Sequence, residues 1–185
     1  MFYRHLQSSI EALLFASGQP LPAVKLGEIL NIDIDHVHSL IAEMSDAMNA
    51  EERGLIIVEV AGGYQLCTKP SLINVVSKLA EVQDSKLSAA AMETLAIVAF
   101  KQPVTKQEIE AIRGVKADRA VTTLLDRMLI KEVGRKEAIG RPILYGTTNE
   151  FLQCFGLKSL SDLPDIASLL PDIGTAEKTT EDTPS

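Results

Sequence analysis

The stretch METLAIVAFKQPVTKQEIEAIR, Met92 to Arg113, decides the reading of this chain, because IEALLFASGQPLPAVKLGEIL, Ile10 to Leu30, resembles it. Glu11 falls on Glu93 and Leu13 on Leu95. After a one-residue gap, Gln19-Pro20 meets Gln102-Pro103, Leu26 meets Ile109 and Ile29 meets Ile112. Two copies of one unit account for this better than a single large domain.

Both copies continue in the same order. In the second, Met92, Leu95, Ala96 and Ala99 are spaced i, i+3, i+4 and i+7, which places them on one helical face. Pro103 ends that helix. Thr105 and Glu108 then have capping-box spacing, in which hydroxyl and carboxylate satisfy orphan amides at a helix start. Gly114 suits the left-handed position past the helix end. A third helix follows, with Ala117, Ala120, Val121, Leu124, Leu125 and Met128 as its apolar stripe and Arg119, Thr122, Thr123 and Arg127 off it. Two extended runs, Ile130 to Gly134 and Pro142 to Thr147, flank RKEAIGR. Three helices and then a hairpin is the order of a winged helix.

The first copy matches. Its second helix starts near Pro22, and its third is capped at Asp33 and carries Val37, Leu40, Ile41, Met44 and Met48 on one face. Leu55 to Val60 and Tyr64 to Thr68 form a hairpin around Ala61-Gly62-Gly63, with Ile56, Val58 and Val60 expected to face inward. The expected fold is mainly α with small β-wings (α+β), as two tandem winged-helix domains. Residues 1–80 make the first, including a linking helix over Ser71 to Ala80, and 81–86 a polar joint. Residues 87–165 make the second, including a short helix from Asn149 to Phe155. Residues 166–185 form an acidic tail with little to bury, expected to be disordered.

Composition limits the chemistry. The 185 residues are 46% hydrophobic and 23% charged, as in a globular protein. With 4% aromatics and no Trp, aliphatic side chains must fill the core. The charge is -7 and the isoelectric point near 5.0, which disfavours a DNA-binding protein of uniformly basic surface. Charge is not evenly spread. From Arg113 to Arg141, eight cations (Arg113, Lys116, Arg119, Arg127, Lys131, Arg135, Lys136 and Arg141) face four acids, a local balance of +4. The third helix of the first copy is the opposite, with Asp33, Asp35, Glu43 and Asp46 and no cation.

No site of catalysis emerges. Neither EAIRGV nor VAGGY has the glycine and lysine spacing of a phosphate loop. His36 and His38 lie two apart, on different helical faces, and His5 is remote, so no metal is expected. The carboxylate pairs Asp33/Asp35 and Glu108/Glu110 fit the first turns of helices. Cys67 and Cys154, far apart and outside any CxxC, read as reduced cytosolic thiols. Glu11 interrupts the apolar run from Ile10 to Ala16, so neither a membrane span nor a signal peptide is expected. No cofactor is expected, and a cytoplasmic location is.

Longer motifs add a resemblance. IEALLFASGQPL, GGYQLCTKP (Gly62 to Pro70), ETLAIVAFKQPVTKQEIEAIRGV (Glu93 to Val115), LLDRMLIKEVGRKEAIGRPILYGTT (Leu124 to Thr148) and FLQCFGLKSLSDLP (Phe151 to Pro164) are similar to the segregation and condensation protein B family. The match is looser from Leu30 to Glu52. The resemblance implies a non-enzymatic subunit of the bacterial condensin-like complex, acting in chromosome condensation and partition during cell division. It implies a homodimer formed mainly through the first winged helix, and a grip on the kleisin subunit, segregation and condensation protein A. The kleisin in turn reaches the structural-maintenance-of-chromosomes ATPase, which would tie the subunit to the nucleoid. DNA contact would be weak or indirect. Tyr145, Phe151 and Phe155 are candidate apolar anchors for the kleisin and Arg135 and Arg141 candidate charge partners; equally, Tyr145 and Phe151 would serve to close the domain's own core. The alternative is a DNA-binding regulator using the second winged helix.

Overall fold

The computed structural model describes residues 2–50, 53–79 and 86–165. The expected joint at 81–86, apart from Lys86, and the expected tail at 166–185 lie outside them.

In the first unit, α1 (Phe2–Ser17) buries Leu6, Ile10 and Leu14, one apolar residue on each successive turn. α2 (Ala23–Leu30) follows Pro22 and stops where Asn31 turns left-handed, at φ 53°. α3 (Ile34–Ala50) buries Val37, Leu40, Ile41, Met44 and Met48, the five positions its spacing predicts. β1 (Leu55–Val60) and β2 (Gly63–Thr68) pair antiparallel from Leu55↔Thr68 to Val60↔Gly63. Ala61 and Gly62 both have positive φ, 50° and 73°, as a two-residue turn that follows strand twist requires. Gly63 is needed for closeness: a Cβ there would lie 2.7 Å from the Leu21 backbone, and Leu21 and Tyr64 exchange two 2.9 Å main-chain hydrogen bonds. The inward residues of β1 differ from expectation. Ile57 and Val60 are buried, whereas Ile56 and Val58 are only half-buried, because Ile57 is the side chain that joins the helical core.

The second unit repeats the plan. α5 (Ala89–Lys101) leads through β3 (Val104–Thr105) into α6 (Lys106–Arg113) and α7 (Asp118–Asp126). β4 (Ile130–Arg135) and β5 (Ile143–Thr147) form the wing, and α8 (Asn149–Phe155) closes it. The three strands are antiparallel in the order β3-β5-β4. The buried face of α5 is turned by one residue from the expected stripe. It comprises Ala91, Thr94, Leu95, Val98 and Ala99, while Met92 and Ala96 face solvent. The one polar member, Thr94, donates its hydroxyl to the Ala90 carbonyl at 2.8 Å. α7 is shorter than its stripe suggests. Met128 takes φ 55° and is exposed, and this turn delivers Leu129 into the core in its place.

Each unit therefore has three helices, a wing and its own buried cluster, and the fold is two winged helices in tandem. Between them the expected linking helix is reduced to a 3-10 turn, Pro70–Leu72, and the four-residue α4 (Ile73–Val76). Ile73 and Val75 are exposed, so no packed face offsets the cost of extending it. The units meet at the first wing. The amides of Ala61 and Gly62 donate to the carbonyls of Leu157 and Lys158, each at 2.9 Å, and Lys158 Nζ pairs with Glu59 at 2.6 Å.

The capping box of α6 is complete. Thr105 Oγ1 accepts from the Glu108 amide at 3.3 Å, and the Thr105 amide donates to Glu108 Oε2 at 2.8 Å. Lys136 from the wing adds a 2.6 Å bond to the other carboxylate oxygen. Lys136 foremost, then the Thr105 amide and hydroxyl, hold the Glu108 carboxyl down at about 2. A depressed acid stabilises the fold above its unfolded value, near 4.5, and loses that contribution as pH falls toward 2. Glu108 is 43% exposed, so solvent screening keeps the effect modest. Glu108→Gln is expected to lower the urea midpoint at neutral pH, with the gap to the unsubstituted protein narrowing below about pH 4.5 and closing near pH 2.

The two separate clusters generate a second expectation. Leu124 is fully buried in the second, and Leu124→Ala should cost that unit about 3 kcal/mol. Hydrogen exchange should then accelerate at Val98 and Ile109 while Leu40 and Met48 in the first cluster keep their protection. Equal acceleration in both would mean the clusters unfold as one.

Candidate protein-interaction site

The strand register that builds the second core also builds a cleft on its surface. Val104 of β3 pairs with Tyr145 of β5, which brings the first turn of α6 beside the base of the wing. Between them lies a recess of about 310 Å³ lined by Lys106, Gln107, Arg135, Arg141, Ile143 and Tyr145, with Gly140 and Pro142 at its rim. Three residues expected to act together, Arg135, Arg141 and Tyr145, thus share one site. Phe151 and Phe155 do not line it. Phe151 is buried in the second core, with Phe155 against it at 4.9 Å between ring centroids and half-exposed.

The wing loop holds the two arginines in place. Lys136 donates its amide to the Pro142 carbonyl at 2.9 Å, and the Arg141 amide donates to Ala138 at 2.9 Å. Gly140 and Arg141 both take positive φ, 80° and 42°, to make this tight return. Arg135 Nη1 then donates to the Arg141 carbonyl at 3.2 Å, which fixes its guanidinium against the backbone of the wing loop. Neither guanidinium has a carboxylate partner among the described residues. Tyr145 is 7% exposed, with its ring in the core. Burial foremost, then the charge of Glu132, pushes its phenol up, while Lys106 and Arg135 pull the other way.

Lys106 and Gln107 were not among the expected site residues. The signal was present in sequence: the capping box fixes them as the first two residues of α6, and only the pairing of β3 with β5 was missing to place them.

Three of the six other cations between Arg113 and Arg141 are paired with acids. Arg113 Nε pairs with Glu93 at 2.9 Å, Lys116 with Glu110 at 3.5 Å and Lys136 with Glu108 at 2.6 Å. Lys106 pairs with Asp118, which raises the lysine and lowers the acid. A row of phosphates would meet these carboxylates as well as the cations, which weakens the case for a DNA track. A larger cleft, about 1040 Å³, lies at the α2–α3 turn, but Glu28, Asp33 and Asp35 line it. Among the described residues no cluster of metal-binding side chains occurs, and no helix is long and apolar enough to cross a membrane.

Known proteins resemble the chain over most of its length. The family described as segregation and condensation complex subunit ScpB matches residues 8–166. Segregation and condensation protein B of Symbiobacterium thermophilum is 50% identical over 166 residues, 90% of this chain and 76% of that protein. The crystal structure of ScpB from Mycobacterium tuberculosis is 34% identical, with a TM-score of 0.41, covering 84% of this chain and 97% of that one. A crystal structure of the dimer of the ScpB N-terminal domain complexed with ScpA peptide is 28% identical over 43% of this chain and all of that one, with a TM-score of 0.42. On the extent and identity of the sequence matches, this chain belongs to the segregation and condensation complex subunit ScpB family.

Proposed function

We propose that this chain is a non-catalytic subunit of a bacterial condensin-like complex, which binds the kleisin subunit and supports chromosome condensation and partition during cell division. It works in the cytoplasm, tied to the nucleoid through the complex. The first winged helix, residues 1–80, serves self-association. Its acidic third helix is poorly suited to nucleic acid. The second, residues 87–165, grips the kleisin and through it reaches the ATPase that supplies ATP hydrolysis.

The observation that carries this reading is the pair Arg135 and Arg141. On a chain of net charge -7, Arg135 and Arg141, whose guanidiniums have no carboxylate partner among the described residues, line one recess. Such an arrangement favours an acidic protein segment, since planar guanidinium forks match carboxylates in both geometry and charge. The half-exposed Phe155, on the same unit though not in the recess, offers apolar surface to a segment that packs as well as pairs.

Replacing both Arg135 and Arg141 with Glu is expected to cut kleisin capture at least tenfold while the thermal melt stays unchanged. Full capture by the double variant would remove the charge pair from the interface. Light scattering with and without kleisin should show a dimer in both states; a monomer would overturn the assignment of the first winged helix.

A further inference from the structure

The two winged helices are joined twice, once by the covalent chain and once at the tip of the first wing. The covalent tether carries little packing of its own: Ile73, Val75 and Leu79 on it are all exposed. The two buried clusters share no side chain either. At the wing, by contrast, the contacts are specific. The Ala61 and Gly62 amides donate to the carbonyls of Leu157 and Lys158, each at 2.9 Å, and Lys158 Nζ pairs with Glu59 at 2.6 Å.

Each half of this junction is held by its own unit. In the first, the two main-chain bonds between Leu21 and Tyr64 tie the wing to its domain, just behind the turn. In the second, Gly156 takes φ 65° to end α8, and the Leu157 amide returns to the Leu152 carbonyl at 2.9 Å. Asp162 Oδ2 then accepts from the amides of Lys158 and Ser159, at 2.8 and 3.1 Å. With those amides engaged inside the second unit, the carbonyls at 157 and 158 are left to accept from outside it. Leu157 packs against the second core, so these acceptors sit on a fixed shelf. Two surfaces organised in this way can part and meet again without either one refolding.

The junction is also weak enough to open. The Lys158 and Glu59 side chains are 60% and 43% exposed, and exposed pairs contribute little and are screened by salt. From this geometry we infer that the first wing is a reversible latch between the two winged helices. Closed, on the shelf at Leu157 and Lys158, it holds the units in one relative arrangement. Open, it lets them turn about the tether, with each core intact. The inference is independent of the kleisin reading, because both halves of the latch belong to this chain.

Nitroxide labels at Asp46→Cys and Thr122→Cys, both exposed and one on each unit, read the arrangement by pulsed electron resonance. The full chain is used, with Cys67→Ser and Cys154→Ser, and is diluted with unlabelled chain so that only distances within one chain count. At low salt the distance distribution should be narrow. Lys158→Glu or molar salt should broaden it, and Glu59→Lys combined with Lys158→Glu should narrow it again. Hydrogen exchange at the Ala61 and Gly62 amides should quicken about fivefold in Lys158→Glu, the scale of an exposed attraction turned into a repulsion. Leu40 and Leu124 should keep their protection in the same variant, which separates unlatching from unfolding. A distribution as narrow in Lys158→Glu as in the unsubstituted protein would mean that something else holds the units, and the latch is overturned. A broad distribution in the unsubstituted protein at low salt overturns it as well. So does a narrow distance that vanishes on dilution, since the contact would then run between copies.

Discussion

Thr105 is the joint on which the second winged helix turns. Its backbone pairs with Leu144 as the last residue of β3, and its hydroxyl caps α6 as that helix begins. One residue therefore fixes both the register of the sheet and the direction of the helix. Gln102 secures the approach, its side-chain oxygen accepting from the Thr147 amide at 2.7 Å and from the Thr147 hydroxyl at 3.1 Å. With those bonds in place Ile109 swings into the core, and Lys106 and Gln107 are left at the mouth of the recess. Loss of the joint would disturb the packing of Ile109 and the spacing of the recess together, because both hang from the same two residues of strand.

How far the fold was legible follows from the same kind of detail. The two copies agree closely in their second helices: Leu26 and Ile109 are both fully buried, and Ile29 and Ile112 are both about half exposed. In the first helices the match slips. Ile10 is fully buried but Met92, its counterpart in sequence, is 45% exposed, and Ala91 takes the inner position. Helical periodicity identifies a face only to within about a residue when apolar side chains flank it on both sides, and AAAMETLAIVAF offers such flanks throughout. The capping box, by contrast, depends on two named groups at fixed spacing, and it was legible to the residue. β3 was not, because two residues carry no alternation; its existence is owed to a partner strand some forty positions away.

The site was legible in part for a related reason. Charge counting located the basic segment but could not say which cations remain uncompensated. That depends on tertiary pairing: Glu93 reaches Arg113 from α5, and Glu108 reaches Lys136 from α6. These acids lie before the segment in sequence, outside the stretch that was counted. Three of the eight cations between Arg113 and Arg141 are thus paired with acids from outside the segment, and at the recess the cations without an acidic partner among the described residues narrow to Arg135 and Arg141. Tyr145 lies in the core and also lines the recess. A phenol has two ends, so one residue can close a core and still line a recess.

The two wings show how one element can serve two ends. A tight hairpin turn leaves outward-facing amides with no partner inside the hairpin. In the first wing those of Ala61 and Gly62 are taken by the carbonyls of Leu157 and Lys158, just past the end of α8, and Glu59 adds an ion pair to Lys158. That tip is engaged within the chain, and it steadies the segment that follows the second core. The longer loop of the second wing makes its turn with its own backbone, through Lys136, Ala138 and Pro142. It has no such contact with the first unit among the described residues, and Ile139 stands clear at its tip. Length decides the difference: the amides of the two-residue turn find their acceptors outside the hairpin, whereas the seven-residue loop supplies acceptors of its own and leaves its tip clear.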